Sequence, residues 1–596
     1  MMVRGLVVVF SITATAVFAA PPDLDRVVLP ELARATWASI DRMLEPATGL
    51  PHDTLNRVWL DLFPQFAALR SQPSVDAPQP AILNVAPCSA AECRERGSYG
   101  LRFVYSMPRP SFGSYSMQST YRVGEVTKYD QFDVSGARYL ELSVRGAGGG
   151  ERFEVVLWSD CDGAFPGRPA SAEVSATNEW RRVRLDLRDY STYADVGSLC
   201  RVSIGFNDAL HAGGTLFIDD IAFVREDGSR IHVAHNEETS TTNIGLYLAA
   251  VVAARDLRIL SESEAVARLT TAITSIEALQ KWHGFPQTHN RPVSLLPDES
   301  DHCISTVDSG YLAAGLIVVQ HGVPQLAQRA AQLLEAMDWS WAYDPAAGLP
   351  FGCRYPPGFQ GPLFHYDFYA ADSRFAHAIG VGSGGMPPQS WSRLKRGSEQ
   401  PKCAAAPLLE PGWDGGGLFM LLMTSIFLDE SRTPIGEATR AFIEDQRCHA
   451  QSLNAPAWGW SATVPPEGND YCGYGCARTD HVVPHAALIA AQMVPPDVLL
   501  RNLEGFTAMG ARPLVNDGVA TSDFGFVASA SLVDGGIAPV YLVLDQSMAF
   551  LAMANRLTAG RIRQYVCKDA RVTRLRQHLP EYAGSCRPRR RVAEPR

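Results

Sequence analysis

The sequence predicts a multidomain chain in which an all-β sandwich precedes a much larger all-α region of paired helices, an α/α toroid. Three observations predict it. Between about residues 86 and 226 apolar side chains recur at every second position. From about 236 to 560 they recur three and four apart. The 596 residues are 46% hydrophobic and 19% charged, enough apolar material for more than one core.

Residues 1–20 read as a secretory signal peptide. Arg4 precedes an apolar run that starts at Leu6–Phe10 and ends on small residues at Val17–Ala20, which places cleavage near Ala19 or Ala20. The run is too short, and too broken by Ser and Thr, to span a bilayer comfortably, and no later stretch does better. The expected mature protein is therefore secreted or periplasmic, with no integral membrane span. Export would leave the 12 cysteines in an oxidising compartment, where an even count favours disulfides. Sequence neighbours are the natural pairs: Cys88–Cys93, Cys161–Cys200, Cys472–Cys476 and Cys567–Cys586. A metal at Cys472-x3-Cys476, with His481 and His485 nearby, lacks a matching second cysteine pair, so no metal is expected. The net charge of -10 lacks the positive field that phosphates attract, which argues against nucleic acid as a partner.

Residues 21–85 read as a leader with short helices, in WASIDRMLEPATG and LDLFPQF, ended by the prolines of SVDAPQP. In 86–226 strands are expected over 137–146, 152–159, 180–189, 200–207 and 215–225. Arg182-Val183-Arg184-Leu185-Asp186-Leu187 alternates as a strand with one wet face should. Three elements give this part a resemblance to the galactose-binding-type jelly rolls attached to carbohydrate-active enzymes. They are Phe132-Asp133-Val134-Ser135-Gly136, Glu179-Trp180-Arg181 with Val183, Leu185 and Leu187, and Leu216-Phe217-Ile218-Asp219-Asp220-Ile221. Such modules bind sugar or brace a neighbouring domain, and bracing is the simpler expectation here. Helices follow from 236 to 560, and residues 561–596 read as a solvated basic tail.

Several chemistries lack their motifs. The single G-x-G-x-x-G spacing, at Gly380, Gly382 and Gly385, follows a helical run rather than a strand. No phosphate loop, H-E-x-x-H or G-x-S-x-G occurs. The helical region instead has Gly-rich loops dense in aromatics and carboxylates. The densest are Trp282-His283-Gly284, Trp339, Trp341, Tyr355, His365-Tyr366-Asp367, Trp413-Asp414, Trp458-Gly459-Trp460 and Tyr471-x2-Tyr474. Sugars present apolar C–H faces and a rim of hydroxyls, which rings and carboxylates match. Glycosidic cleavage needs two carboxyl groups whose pKa values the fold drives apart. Candidates are Asp308, Asp367, Asp372, Asp414, Glu467, Asp470, Asp480, Asp534 and Asp545. Asp308, Asp480 and Asp545 each lead an apolar helical run, where a carboxylate also serves simply as a cap.

Thr239-Ser240-Thr241-Thr242-Asn243-Ile244-Gly245-Leu246, Ile304-Ser305-Thr306-Val307-Asp308-Ser309-Gly310, Tyr366-Asp367-Phe368 and Asp372-Ser373-Arg374 resemble the glycoamylase-like and endo-β-1,2-glucanase superfamily. That group includes the processing module of cyclic β-1,2-glucan synthases. Trp413-Asp414-Gly415-Gly416, Trp458-Gly459, Asp480-His481-Val482-Val483-Pro484 and Asp545-Gln546 continue the match in order. The resemblance implies an (α/α)6 toroid and a glycoside hydrolase or transglycosylase that acts on a β-linked glucan without a cofactor, with an oligo- or polysaccharide as partner. It departs at two places where relatives carry Glu, which here read Met420 and Ala462. Asp414 or Glu467 would then be the substitute acid, Asp308 and Asp372 would orient hydroxyls or water, and Asp480 would be base or orienter. Asn243, Trp282, His283, Tyr366, Asp367, Trp413, Trp458, Trp460 and Tyr474 would contact the sugar. Two other readings stand beside this one. One is a non-catalytic saccharide-binding protein. The other is a polysaccharide lyase using His283, His289, His365 and Arg374.

Overall fold

The structure is a computed structural model. It describes all residues except 1–22, 58–73, 77–81, 89–99, 119, 124–125, 130–133, 135, 160, 162–167, 191–193, 229, 232, 236–237, 299–301, 413–416, 467–479, 517–520, 534, 539 and 587–596. The leader contributes helix α1 (Leu29–Arg42) and strand β1 (Thr54–Arg57).

The strands that follow are β2 (Ser74–Asp76), β3 (Ile82–Cys88), β4 (Gly100–Ser106), β5 (Phe112–Gln118), β6 (Tyr139–Gly146), β7 (Arg152–Ser159), β8 (Arg168–Ser175), β9 (Arg181–Asp186), β10 (Leu199–Asn207), β11 (Gly213–Val224), β12 (Arg230–Ile231) and β13 (Val233–His235). All but β13, which pairs with β1, lie antiparallel in two sheets. One has the order β8-β7-β10-β5-β2; the other has β9-β6-β11-β4-β3, with β12 beside β11. The alternation seen in the sequence is real: Leu140, Leu142 and Val144 of β6 are buried with Leu216 and Ile218 of β11 in one apolar cluster. Phe103, Tyr105 and Phe206 meet inside it, with ring centroids 5.7 Å (Phe103–Phe206) and 4.3 Å (Tyr105–Phe206) apart.

The jelly-roll expectation is corrected. Both sheets are open, and neither closes or curls on itself. Alternation tells which face of a strand is buried but not which strand lies beside it.

The helices are α2 (Thr241–Asp256), α3 (Glu262–Ala278), α4 (Thr306–Gly322), α5 (Ala327–Ala336), α6 (Arg374–Ser383), α7 (Gly417–Leu422), α8 (Pro434–Ser452), α9 (Pro484–Ile489), α10 (Pro496–Ala508), α11 (Val543–Leu557), α12 (Arg561–Val566) and α13 (Ala570–His578). The region is not all-α as expected. Two-stranded ribbons and 3-10 turns join its helices, α7 and α9 have only 6 residues each, and a closed (α/α)6 double ring is not established. What the packing shows is α2 against α4 and α11, α4 also against α6, and α11 also against α9. Helices α3, α5 and α13 lie against α2, α4 and α6 respectively. From Thr241 to Ala254 every residue of α2 is buried, which marks a central helix rather than a surface one.

Two glycines permit the closest crossing. A methyl on Gly245 would overlap the Tyr311 carbonyl, and one on Gly315 would overlap the Gly245 carbonyl. Gly245→Ala should therefore lower stability by about 1–3 kcal/mol, the usual range for overpacking. An unchanged urea midpoint would show that the crossing yields easily.

The leader is sewn into this helical part. Helix α1 packs on α11, with Trp37 and Phe550 ring centroids 5.6 Å apart. Strand β1 pairs with β13 on one side and with Val540–Leu542 on the other. The solvated-tail expectation is also corrected: α12 and α13 bury Ile562, Val566, Val572 and Leu575, and Cys567 is bonded to Cys586. Their arginines hid a weak apolar period. Cys161–Cys200 is bonded as expected. Cys303–Cys353 and Cys403–Cys448 join partners 50 and 45 residues apart, which proximity in sequence did not suggest. Cys93, Cys472 and Cys476 lie outside the described residues, so the expected Cys88–Cys93 and Cys472–Cys476 pairs are not described. No described helix is long and apolar enough to cross a membrane.

Candidate active site

Four central helices begin directly after, or one residue beyond, a short strand. Thr239–Ser240 leads into α2, Ile304–Ser305 into α4, His481–Val482 into α9 and Val540–Leu542 into α11. A strand fixes the direction of entry, and the first turn then displays polar side chains where the helix dipole favours negative charge. In α2 and α4 the N-cap serines Ser240 and Ser305 accept from the N–H of Asn243 (3.1 Å) and Asp308 (3.3 Å). The capping serine thus sets the residue that follows three places later. Cys303–Cys353 staples the ribbon that carries Ser305.

Asp308 accepts a hydrogen bond from Thr242 Oγ1 (2.6 Å), which ties the starts of α4 and α2 together. Asp372, just before α6, is 4% exposed. Its carboxylate accepts from the Ser373 N–H (2.9 Å), and its carbonyl accepts from Tyr311 Oη (2.9 Å). Burial, and then the nearby Asp308 charge, push the Asp372 carboxyl up to about 7. Tyr366 lies beside both: its hydroxyl is 3.3 Å from Ser305 Oγ, and burial with the Asp308 and Asp372 charges raises its pKa. Asp308, Asp372 and Tyr366, all expected in the site from sequence, thus come together.

Asn243 extends this floor. Its Nδ2 donates to Asp53 Oδ1 (2.6 Å). Burial and the Glu238 charge raise the Asp53 carboxyl to about 6, against the opposing effect of the Asn243 hydrogen bond. Asp545, on the first turn of α11, accepts from Thr463 Oγ1 (2.8 Å), and its Oδ2 lies 3.0 Å from His485 Nδ1. Sequence reasoning missed Asp53, Thr242, Thr463 and Glu238. Thr242 stood in a matched motif, but nothing in Pro51-His52-Asp53-Thr54 carries a signal.

The remaining candidates divide. Trp458 and Trp460 are 6% and 9% exposed, so the ring faces expected to stack on sugar are packed inside. Their backbones are held by Asn502 and Gln446 (2.8 and 2.9 Å). Asp367 is paired with Lys395 (2.6 Å), and Asp480 lies 3.2 Å from His481 Nδ1. No described hydrogen bond or ion pair joins either to Asp308 or Asp372. Trp282 sits half-buried in a hairpin. Its neighbour His283 stacks on Trp341, with centroids 4.9 Å apart, and faces Asp338. Met420 and Ala462 are buried. Trp413, Asp414, Glu467 and Tyr474 lie outside the described residues.

Arg374 has no freedom to neutralise a substrate carboxylate. It is buried against Glu430 and donates to three backbone carbonyls. The lyase reading loses its arginine.

A family model described as a protein of unknown function, DUF3131, matches residues 227–344. Over 83 residues the chain is 40% identical to the cyclic β-(1,2)-glucan synthase NdvB of Rhizobium meliloti (strain 1021), which is 14% of this chain and 3% of that protein. The chain thus spans a small fraction of the curated relative it matches. Among solved structures, a β-1,2-glucanase from Parabacteroides distasonis superposes with a TM-score of 0.59 at 11% identity, covering 86% of this chain and 97% of that one. An endo-β-1,2-glucanase from Chitinophaga pinensis, in complex with sophorotriose and glucose, gives a TM-score of 0.48 at 16% identity over 58% and 88% of the two chains, too low to argue from. At 11% identity the first likeness speaks to fold alone.

Proposed function

We propose that this protein is an exported glycoside hydrolase or transglycosylase acting on a β-linked glucan, with β-1,2 linkages favoured. The observation that carries the reading is the pair Asp308 and Asp372, with Tyr366 beside them, at adjoining helix starts. Asp372 keeps a proton close to neutrality, as a general acid must. Asp308 sits in a first helical turn, where the dipole favours an anion, and accepts from Thr242, as a base or an orienter of water should. In cleavage Asp372 would give its proton to the departing glycosidic oxygen while the anomeric carbon passes through an oxocarbenium-like state. Water, or a second sugar hydroxyl, would then add to that carbon and give up its proton to Asp308. The linkage preference draws on what the similar proteins are named for, a β-1,2-glucanase and a cyclic β-(1,2)-glucan synthase. The disulfides support an oxidising compartment.

The test is incubation of the full chain with linear β-1,2-glucan and mass analysis of the products. Shorter reducing oligomers are expected from hydrolysis, and longer or cyclic ones from transfer. Products with ultraviolet absorption would identify a lyase and overturn the reading. Binding without any product would instead favour a saccharide-binding protein, the reading that Met420 and Ala462 support.

A further inference from the structure

Asp53 reaches the helix starts from the far end of the chain, and its backbone is tied on both sides. Its N–H donates to Glu238 O (2.7 Å), and its C=O accepts from the Val543 N–H (2.8 Å). The leader therefore places a carboxyl group between the segments that open α2 and α11. Asn243 and Asp545, from those two helices, are each 1% exposed. One oxygen of each, Asn243 Oδ1 and Asp545 Oδ1, is buried and has no hydrogen-bond partner among the described residues. Glu238 and His289, 3.9 Å apart and both 35% exposed, stand at the outer edge.

A buried acceptor without a donor costs about 1–3 kcal/mol, which a hydroxyl donated to it would relieve. The three carboxyl groups Asp53, Glu238 and Asp545 repel an anion. The described residues contain no group of three His, Cys, Asp or Glu side chains arranged for a metal ion. A neutral polyol has the matching chemistry: its hydroxyls can donate to two acceptor oxygens without bringing charge. We propose that Asp53, Asn243 and Asp545 form a second, hydroxyl-binding subsite that takes the vicinal diol of a neutral pyranose, entered past Glu238 and His289. It rests on the saccharide reading above and adds a second point of attachment. The consecutive residues Thr242 and Asn243 join it to the Asp308–Asp372 pair.

The test is calorimetric titration of the full chain with short glucose oligomers of each linkage, and with deoxy analogues lacking one hydroxyl of the diol. The isosteric variants Asp53→Asn and Asp545→Asn, and the rim variant His289→Gln, are titrated alongside. The expected result is about a tenfold weaker Kd for each isosteric variant. The deoxy analogue should also lose about tenfold on the natural chain but little more on Asp545→Asn, because one hydrogen bond cannot be lost twice. A purely structural role would leave the two losses additive and would overturn the proposal. If β-1,2 oligomers bind and the variants bind them equally well, the subsite is wrong and the glucan reading stands. If another linkage binds and the variants weaken it, the subsite stands and the β-1,2 preference falls. If no saccharide binds, both fall. Should the isosteric variants fail to fold, the deoxy series on the natural chain and a sugar-bound crystal structure decide. Diol hydroxyls beyond hydrogen-bond distance of Asp53 and Asp545 would overturn the proposal.

Discussion

Asp372→Asn should lower glucan cleavage by about a hundredfold or more and, at the same time, make the protein more stable above neutral pH. Both effects follow from one buried carboxyl. General-acid assistance contributes roughly two to four powers of ten, and an amide of the same shape cannot give a proton to a leaving oxygen. The stability effect has a definite sign. In the folded chain the Asp372 pKa is raised from 3.8 to about 7, by burial first and by the Asp308 charge second. Between about pH 4 and 7 the folded chain therefore holds a proton that the unfolded chain has released, and stability falls as pH rises through that window. Three pKa units correspond to about 4 kcal/mol at most. The amide escapes that penalty but gives up the carboxylate's favourable interactions with the Ser373 N–H and Arg374, so a gain of about 1–3 kcal/mol at pH 8 is the expectation. The amide still accepts from Ser373 N–H, so little should be lost at pH 4. Urea denaturation at the two pH values reads the difference, and activity on an activated aryl glycoside separates acid from orienter. A general acid matters less when the leaving group needs no proton. Equal stabilisation at pH 4 and pH 8 would refute the buried-charge argument. Near-normal cleavage by the variant would move the acid to Asp414 or Glu467.

Local sequence made parts of this arrangement legible. Ser240 and Ser305 stood in matched motifs, and the structure shows each capping its helix and setting the polar residue three places on, Asn243 and Asp308. Strand alternation located β6, β7, β9, β10 and β11, yet their order across two open sheets depends on pairings between distant segments. Trp458 and Trp460 look like sugar platforms in a Gly-rich stretch, but an aromatic ring packs against protein or sugar by the same forces, and only three dimensions tell which. Asp53 was invisible for a different reason. Its surroundings come from Glu238, Asn243 and Asp545, all far away in the chain, so no window around it carries the information. Arg374 was legible as part of a motif and misread as chemistry.

That arginine carries the other large expectation. Arg374→Met should destabilise the fold by about 3–5 kcal/mol, a large share of the roughly 5–15 kcal/mol that holds a domain together. The guanidinium is buried and bidentate to Glu430, through Nε to Oε1 (2.9 Å) and Nη2 to Oε2 (2.7 Å). It also donates to the carbonyls of Ala371 (2.7 Å), Met420 (2.8 Å) and Leu421 (2.6 Å), which fastens the start of α6 to α7. Burial alone would lower its pKa, but the Glu430 charge and hydrogen bonds outweigh that and raise it, so the guanidinium keeps its charge. Removing the cation leaves the buried Glu430 carboxyl without its counter-charge, and among the described residues the Tyr582 hydroxyl (2.8 Å) is the side-chain donor that remains. The double variant Arg374→Met/Glu430→Leu removes the stranded charge too and should recover part of the loss. Recovery should be incomplete, because the Met420 and Leu421 carbonyls lose the guanidinium and the Tyr582 hydroxyl loses its carboxylate acceptor. Thermal and urea denaturation of the two variants measure this directly. If the single variant costs less than about 1 kcal/mol, or the double variant is worse than the single, the pair does not act as the buried fastener described. Asp372 lies two residues before Arg374 and its carbonyl is held by Tyr311 and Thr424, so loosening α6 should also displace the carboxyl group proposed to give the proton. Cleavage by the double variant should therefore remain well below that of the natural chain even where much of its stability returns.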